Sequence, residues 1–191
     1  MRSVALLLGL SFATALSAAT IEAVVQDGRG GVRDAVVWAI PESRPVPPAK
    51  KSAVMEQKNR AFIPHVLPVQ TGTSVRFPNL DDVQHHVYSF SPAKPFQLPL
   101  YKGNPPAPVV FEKPGVVTLG CNIHDQMSAY IVVVDTPYFE KTAANGRAAL
   151  RDLEPGRYSV HAWAPERGEA PARSVTVTED GRADVNFTIG R

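Results

Sequence analysis

Residues 116–134 read VVTLGCNIHDQMSAYIVVV, and this stretch decides how the chain folds. It begins with a short run rich in Val, Thr and Leu and ends with a second apolar run. Each run has the length and composition of one β-strand. Between the two runs, after Gly120, lies a short loop that contains a cysteine, a histidine and a methionine. The stretch therefore predicts two strands joined by a loop with unusual side-chain chemistry.

The loop supplies a thiol, an imidazole and a thioether at Cys121, His124 and Met127. Three such donors on one short loop can converge on a single point, and a fourth can come from a neighbouring strand. Two histidines and a cysteine, with a weak axial methionine, are the ligands of blue-copper electron-transfer sites. Zinc also accepts histidine and cysteine, but a thioether is not a normal zinc ligand. The donor set therefore predicts copper.

A second histidine is expected from residues 81–88, DDVQHHVY, where two histidines begin a strand-like run. Adjacent side chains of a strand point to opposite faces, so His85 and His86 cannot both point into one site. Two further histidines, His65 and His161, are predicted to be structural. For His65 a supporting role at the site, or a place in another metal site, stays open.

The rest of the chain predicts an all-β protein. Eighteen prolines and thirteen glycines interrupt short runs rich in Val, Thr, Tyr and Phe, as in proteins built of short strands and turns. Residues 41–51 are proline-rich and basic and predict a linker. Residues 91–111 contain six prolines, which exclude a central strand and predict a long ordered loop. The predicted strands are 21–26, 35–40, 66–69, 74–77, 85–89, 109–111, 116–120, 129–134, 148–153, 157–162, 174–178 and 183–189.

Residues 75–134 resemble a cupredoxin. The Cys-x2-His-x2-Met loop is similar to that of amicyanin-type cupredoxins, and His-His-Val at 85–87 resembles the family's His-Asn-Val. The segments 85–91 and 119–125 also resemble exported proteins labelled methylamine-utilization or plastocyanin-like. The resemblance implies a Greek-key β-sandwich that holds one type 1 copper ion. Its ligands are then His85, Cys121, His124 and Met127.

Two features depart from the family pattern. Asp125 and Gln126 stand where amicyanin-type loops have proline and an aromatic residue, so we expect a more polar surface over the metal. His86 stands where the family usually has asparagine. The motif match, together with the alternation of strand side chains, favours His85 as the ligand.

The resemblance also implies a function. A type 1 site suits the transfer of single electrons between redox partners such as a dehydrogenase and a c-type cytochrome. The ligand set leaves no open position for a substrate, so we expect a carrier and not an enzyme. Two alternatives stay open: copper binding or delivery, in which the metal is cargo, and an accessory role toward a dehydrogenase.

The remaining residues predict a second, small β-sandwich. Segments 145–163 and 25–37 resemble the carboxypeptidase-regulatory-like β-sandwich. We therefore expect a copper domain at 49–135, inserted into a sandwich formed by residues 20–48 with 136–191. Alternatively, residues 21–40 add strands to the copper domain.

The amino-terminal residues predict export to the periplasm. Arg2 precedes an apolar run at 4–10, and Ser17-Ala18-Ala19 offers the small residues that a signal peptidase needs. We expect residues 1–19 to be a signal peptide and the mature chain to begin at Thr20. The apolar run is shorter than the about 20 residues that span a bilayer, and no later segment is long and apolar enough, so the mature chain is expected to have no membrane span.

Cysteine usage and charge narrow the function further. The chain has one cysteine, whereas exported proteins usually carry cysteines in pairs as disulfides. A leftover thiol in an exported protein indicates intermolecular pairing, reactivity or metal binding. The formal net charge is +2, which gives no footprint for nucleic acid.

Overall fold

The computed structural model describes residues 19–105, 107–179 and 181–190. These residues form nineteen strands and no helix, which confirms the predicted all-β class. No helix that could span a membrane occurs in this part of the chain. Residues 1–18 of the predicted signal peptide lie outside the described residues. The strands are β1 (Ala19–Asp27), β2 (Gly30–Gly31), β3 (Val36–Pro41), β4 (Ser52–Val54), β5 (Glu56–Lys58), β6 (Ala61–Ile63), β7 (Val66–Gln70), β8 (Thr73–Arg76), β9 (His85–Ser89), β10 (Phe96–Tyr101), β11 (Val109–Phe111), β12 (Gly115–Gly120), β13 (Ser128–Val134), β14 (Phe139–Lys141), β15 (Arg147–Leu153), β16 (Gly156–Ala164), β17 (Gly168–Glu169), β18 (Arg173–Val177) and β19 (Arg182–Thr188).

The strands between residues 52 and 134 form one β-sandwich. One sheet has the order β10-β9-β12-β13-β7, a second has the order β11-β8-β4, and β5 and β6 form a hairpin. Both sheets contribute to a single buried cluster, with Val87 and Leu119 from the first and Val75 and Phe111 from the second. Cys121 belongs to the same cluster, so the core anchors the start of the loop that carries the donors.

The first and last parts of the chain pair with each other. Strand β1 lies between β15, to which it is antiparallel, and β19, to which it is parallel. Strand β3 lies between β14 and β16. The two sheets share a second core, which includes Ile21, Val37 and Leu150. In the described part of the chain, β1 and β3 therefore pair with none of the strands between 52 and 134.

A third apolar cluster joins the two sets of sheets. Strand β13 is buried on both faces: alternate residues enter the core around Cys121, while Val132 and Val134 face outward. The outward residues pack with Val36 and Trp163 of the other sheets. The Trp163 ring meets Tyr130 in a T-shaped contact with centroids 5.2 Å apart. The two sandwiches are thus held together by an apolar contact.

We expect Trp163→Ala to lower the free energy of unfolding by about 3–5 kcal/mol, because truncation of a buried tryptophan leaves a cavity. Denaturant unfolding of the metal-free protein measures this loss. The reactivity of Cys121 toward a thiol reagent in the folded variant serves as the control and should be unchanged, since Trp163 belongs to a different cluster from Cys121. A loss below about 1 kcal/mol would show that the contact between the sandwiches is loose.

One prediction about loops is wrong. Residues 91–111 do not form a single loop, because they contain β10 as well as β11. Strand β10 is the edge strand of its sheet, and its pairing with β9 is irregular between Leu98 and Tyr101, where Pro99 lies. Edges and bulges are the places where a sheet tolerates proline. Residues 42–51 form no strand, and the backbone there is tied to β7 by a hydrogen bond from Gln70 Nε2 to Pro47 O of 2.9 Å.

Candidate metal centre

Strand ends bring the predicted donors together. His85 is the first residue of β9, and Cys121 directly follows β12. Pairing of Gly120 with Ser128 closes the β12–β13 hairpin, so the donor loop projects from the end of a rigid ladder. Within the loop, the backbone N–H of Met127 donates to His124 O over 2.9 Å, which makes the turn tight.

Two imidazole nitrogens face one thiol sulfur. Cys121 Sγ lies 4.0 Å from His85 Nδ1 and 3.9 Å from His124 Nδ1. The three donor atoms lie within 4.8 Å of one another, and the two rings meet at 64° with centroids 4.9 Å apart. Metal–ligand distances of about 2.0–2.3 Å at trigonal angles place nitrogen and sulfur about 3.8 Å apart. The spacing of these donors therefore fits a single ion in their plane.

The donors differ in their access to solvent. His85 is fully buried, Cys121 is 5% exposed and Met127 is 1% exposed. His124 is partly exposed, so its imidazole connects the cluster with the surface. Met127 packs in the same core cluster as Cys121, and both line a surface concavity of about 620 Å³.

The Asp81 carboxylate lies against Nε2 of His85, the ring nitrogen that does not face Cys121. Its Oδ2 lies 2.8 Å from His85 Nε2, while its two oxygens accept the backbone N–H groups of Asn59 and Arg60 at 2.6 and 2.8 Å. Burial raises the pKa of the Asp81 carboxyl, but the hydrogen bonds from Arg60, His85 and Asn59 outweigh burial and hold the pKa below its usual value. An ionised carboxylate accepts from Nε2–H, so the lone pair of His85 is left on Nδ1, which faces Cys121.

Buried polar side chains support this end of the sandwich. Tyr101, which pairs with His85 across β9 and β10, donates from its hydroxyl to Phe77 O. Gln57 Nε2 donates to the same carbonyl at 2.9 Å and to the Tyr101 hydroxyl. Burial raises the pKa of Tyr101 to about 12, so its phenol stays protonated at neutral pH.

The other histidines lie outside the cluster. His86 points to the opposite face of β9, as the alternation predicts, and its ring packs on Tyr88 with centroids 5.5 Å apart. His65 is exposed and contacts the Tyr130 ring. His161 bonds on both nitrogens, to Ser159 and Glu169, each at 3.0 Å. The two hydrogen bonds of His161 are those of a structural residue, whereas the structural role of His65 stays a prediction.

Sequence reasoning assigned no role to Asp81, although a local signal exists. The backbone N–H of Asp81 donates to Asn79 Oδ1 over 3.0 Å, the bond of an Asx turn, which Asn-x-Asp favours. That turn brings the Asp81 carboxylate back toward His85. Asn59 and Arg60 hold Asp81 through their backbone N–H groups, so their side chains gave no indication of this contact.

Comparisons with known proteins give a partial likeness. No protein-family model matches the chain, and no curated protein sequence matches it. Among solved structures, a copper-containing nitrite reductase from Thermus scotoductus SA-01 is 23% identical over 51% of this chain, with a TM-score of 0.42. The chain spans only 27% of that reductase.

Two small cupredoxins are matched over nearly their whole length. A purple cupredoxin from Nitrosopumilus maritimus is 23% identical over 44% of this chain and 99% of its own, with a TM-score of 0.38. A mutant of amicyanin in the reduced state is 20% identical over 50% of this chain and 98% of its own, with a TM-score of 0.41. Each of these three matches covers about half of this chain.

Proposed function

We propose that this protein carries single electrons on one type 1 copper ion held by His85, Cys121 and His124, with Met127 as a weak axial ligand. The observation that carries the proposal is the pair of Nδ1 atoms 3.9 and 4.0 Å from one buried thiol sulfur. A thiolate, two imidazoles and a thioether are the donors that select copper for electron transfer. When bound, copper supplies a one-electron Cu(II)/Cu(I) couple.

The residues around the donors favour fast exchange of an electron with little movement. Cys121 lies at the end of a hydrogen-bonded hairpin, and His85 is held by Asp81. Burial of the donors excludes water, which would otherwise reorganise around the changing charge. Three of the four donors are almost inaccessible, and the proposed ligand set leaves no open position for a substrate, which supports a carrier and not an enzyme.

The partly exposed His124 indicates where on the surface an electron enters or leaves the site. We propose that a redox protein partner, such as a dehydrogenase or a c-type cytochrome, docks over this imidazole. Ile123, beside it, is 48% exposed and supplies apolar contact area. Asp125 and Gln126 are also exposed and make this surface more polar than an amicyanin-type loop.

We propose that residues 49–135 form the copper domain and that residues 20–48 with 136–191 form the second, carboxypeptidase-regulatory-like sandwich. The pairing of β1 with β15 and β19 supports this division. The second sandwich contains none of the proposed ligands, so its proposed role is to bind a partner or to space the copper domain from one.

A redox titration of the copper-loaded protein tests the proposed function. We expect one reversible one-electron step, monitored at the visible charge-transfer band, and retention of copper in both oxidation states. A protein that releases copper on reduction, or passes it to a chelator as fast as the two are mixed, would instead be a copper-delivery protein. Co-purification with a dehydrogenase at fixed stoichiometry would indicate an accessory subunit.

The proposed location is the periplasm, and it rests on the apolar run at residues 4–10 and the small residues at 17–19. We expect the exported protein to begin at Thr20. Amino-terminal sequencing of material from the periplasmic fraction measures this directly. Membrane-bound protein that retains Met1 would show an uncleaved anchor.

A further inference from the structure

The Asp81 carboxylate is saturated with donors from two different parts of the fold. Oδ1 accepts the backbone N–H of Asn59 at 2.6 Å, and Oδ2 accepts that of Arg60 at 2.8 Å. His85 Nε2 lies 2.8 Å from Oδ2. The side chain of Asp81 is only 13% exposed, so little water competes for these bonds. The carboxylate therefore links the β5–β6 hairpin to a proposed copper ligand.

The hairpin has an unusual backbone that serves this contact. Asn59 and Arg60 form its two-residue loop, and both have φ of 56°. A loop with positive φ at both positions fits the twist of a hairpin but favours Asn-Gly, and arginine is disfavoured in this region. In this conformation the two successive N–H groups point at one carboxylate. An unfavourable conformation that directs two donors at the support of a site is the kind of local strain found at functional positions.

The segment that carries Asp81 is also held from the other side. Asn79 Nδ2 donates to Val83 O and to Tyr101 O, each at 2.9 Å, and Asn79 Oδ1 accepts the N–H of Asp81. The backbone of Asn79 exchanges two hydrogen bonds with Gly103. Asp81 is thus held in place by groups other than the His85 ring.

We infer that Asp81 is a positioning residue: held by the Asn59–Arg60 turn, it fixes the Nε2–H tautomer of His85 and lowers the reduction potential of the copper centre. The structural part of this inference concerns the metal-free protein, and only its redox part rests on the proposed function. A carboxylate on the far nitrogen makes an imidazole a stronger donor. A negative charge at this position also stabilises Cu(II) relative to Cu(I). Both effects favour the oxidised state.

The first test uses the wild-type chain without metal. Nitrogen-15 NMR of the histidine rings at mildly alkaline pH should show His85 as the Nε2–H tautomer, with a slowly exchanging ring proton. A His85 ring in the Nδ1–H tautomer would overturn the inference even if the copper protein is blue. A colourless copper protein would overturn the proposed function and leave this result unaffected, so the two failures are distinguishable.

The second test compares Asp81→Asn with Asp82→Asn in the copper-loaded protein. Asp82 is the adjacent carboxylate, fully exposed and bonded to Lys102 at 3.3 Å, so its substitution makes the same charge change and leaves the bond between Asp81 and His85 in place. We expect Asp81→Asn to weaken Cu(II) binding about tenfold more than Cu(I) binding, which raises the potential by about 59 mV. Asp82→Asn should leave the potential within a small fraction of that shift.

A conservative variant separates positioning from stability. Asp81→Glu retains the negative charge, so its reduction potential should lie nearer to wild type than that of Asp81→Asn. The unfolding midpoints of both variants should fall. Arg60→Gly keeps the backbone N–H that Asp81 accepts, so its potential should lie nearer to wild type than that of Asp81→Asn. Equal potentials for wild type, Asp81→Asn and Asp82→Asn would overturn the inference.

Discussion

Copper-loaded, air-oxidised protein is expected to show an intense visible band from thiolate-to-copper charge transfer, and Cys121→Ser is expected to abolish it. Cys121 is the only cysteine of the chain, and its sulfur is the atom shared by both short donor separations. A serine hydroxyl is not ionised under ordinary conditions and is a hard donor, so it cannot replace the soft thiolate. The absorption spectrum and the stoichiometry of bound copper measure the effect.

Two controls accompany this substitution. Thermal unfolding of the metal-free variant shows whether the fold survives, since a hydroxyl at a 5% exposed position loses solvation. Asn122→Ala changes the exposed neighbour of Cys121 and should retain the band. A colourless wild-type protein that binds zinc as tightly as copper would contradict the proposed blue-copper centre.

His85→Ala is expected to destroy the charge-transfer spectrum, whereas His86→Ala keeps the band and shifts the potential. The two residues are adjacent, but His85 is fully buried and presents Nδ1 to Cys121, while the His86 ring lies against Tyr88 on the other face. Removal of the His85 ring opens a coordination position and leaves Asp81 without its histidine partner. His86 contributes no donor to the cluster, so its removal leaves all four proposed ligands in place.

Spectra of the two variants, recorded side by side at equal copper loading, make the comparison. Because both substitutions remove one imidazole from the same strand, each is the matched control for the other. Loss of the band in His86→Ala, with retention in His85→Ala, would mean that the ligand comes from the opposite face of β9. Equal loss in both would indicate that the strand start itself is disturbed.

Local pattern sufficed for most strands. Each of the twelve predicted strands has a counterpart in the structure, and the buried and exposed faces of β9 follow from simple alternation. These features depend on residues a few positions apart, where the period of side-chain direction is a property of the backbone. The Pro-rich stretch around β10 misled the prediction because proline composition reports that a central strand is excluded and does not distinguish an edge strand from a loop.

The pairing of strands that lie far apart in the sequence was harder to predict. The sequence left residues 21–40 open between two assignments, and the pairing of β1 with β19 joins segments about 160 residues apart. A strand with alternating apolar residues can join a sheet of either sandwich, so its sequence pattern does not indicate which strands it pairs with. The strand pattern also did not predict that β13 is buried on both faces. Its second face is buried because Val132 and Val134 pack against Trp163 where the two sandwiches meet.

By itself, the sequence determined the chemistry of the donors: Cys121, His124 and Met127 share one short loop, and chain connectivity keeps them close in any fold that forms the β12–β13 hairpin. Only the tertiary structure decided which groups surround these donors. The carboxylate of Asp81, two backbone N–H groups of a hairpin tip and the buried Nδ1 of His85 meet because separate strands pack around one core. Backbone N–H groups are chemically the same in nearly every residue. The sequence therefore does not show that two of them donate to the Asp81 carboxylate, and only the folded chain does.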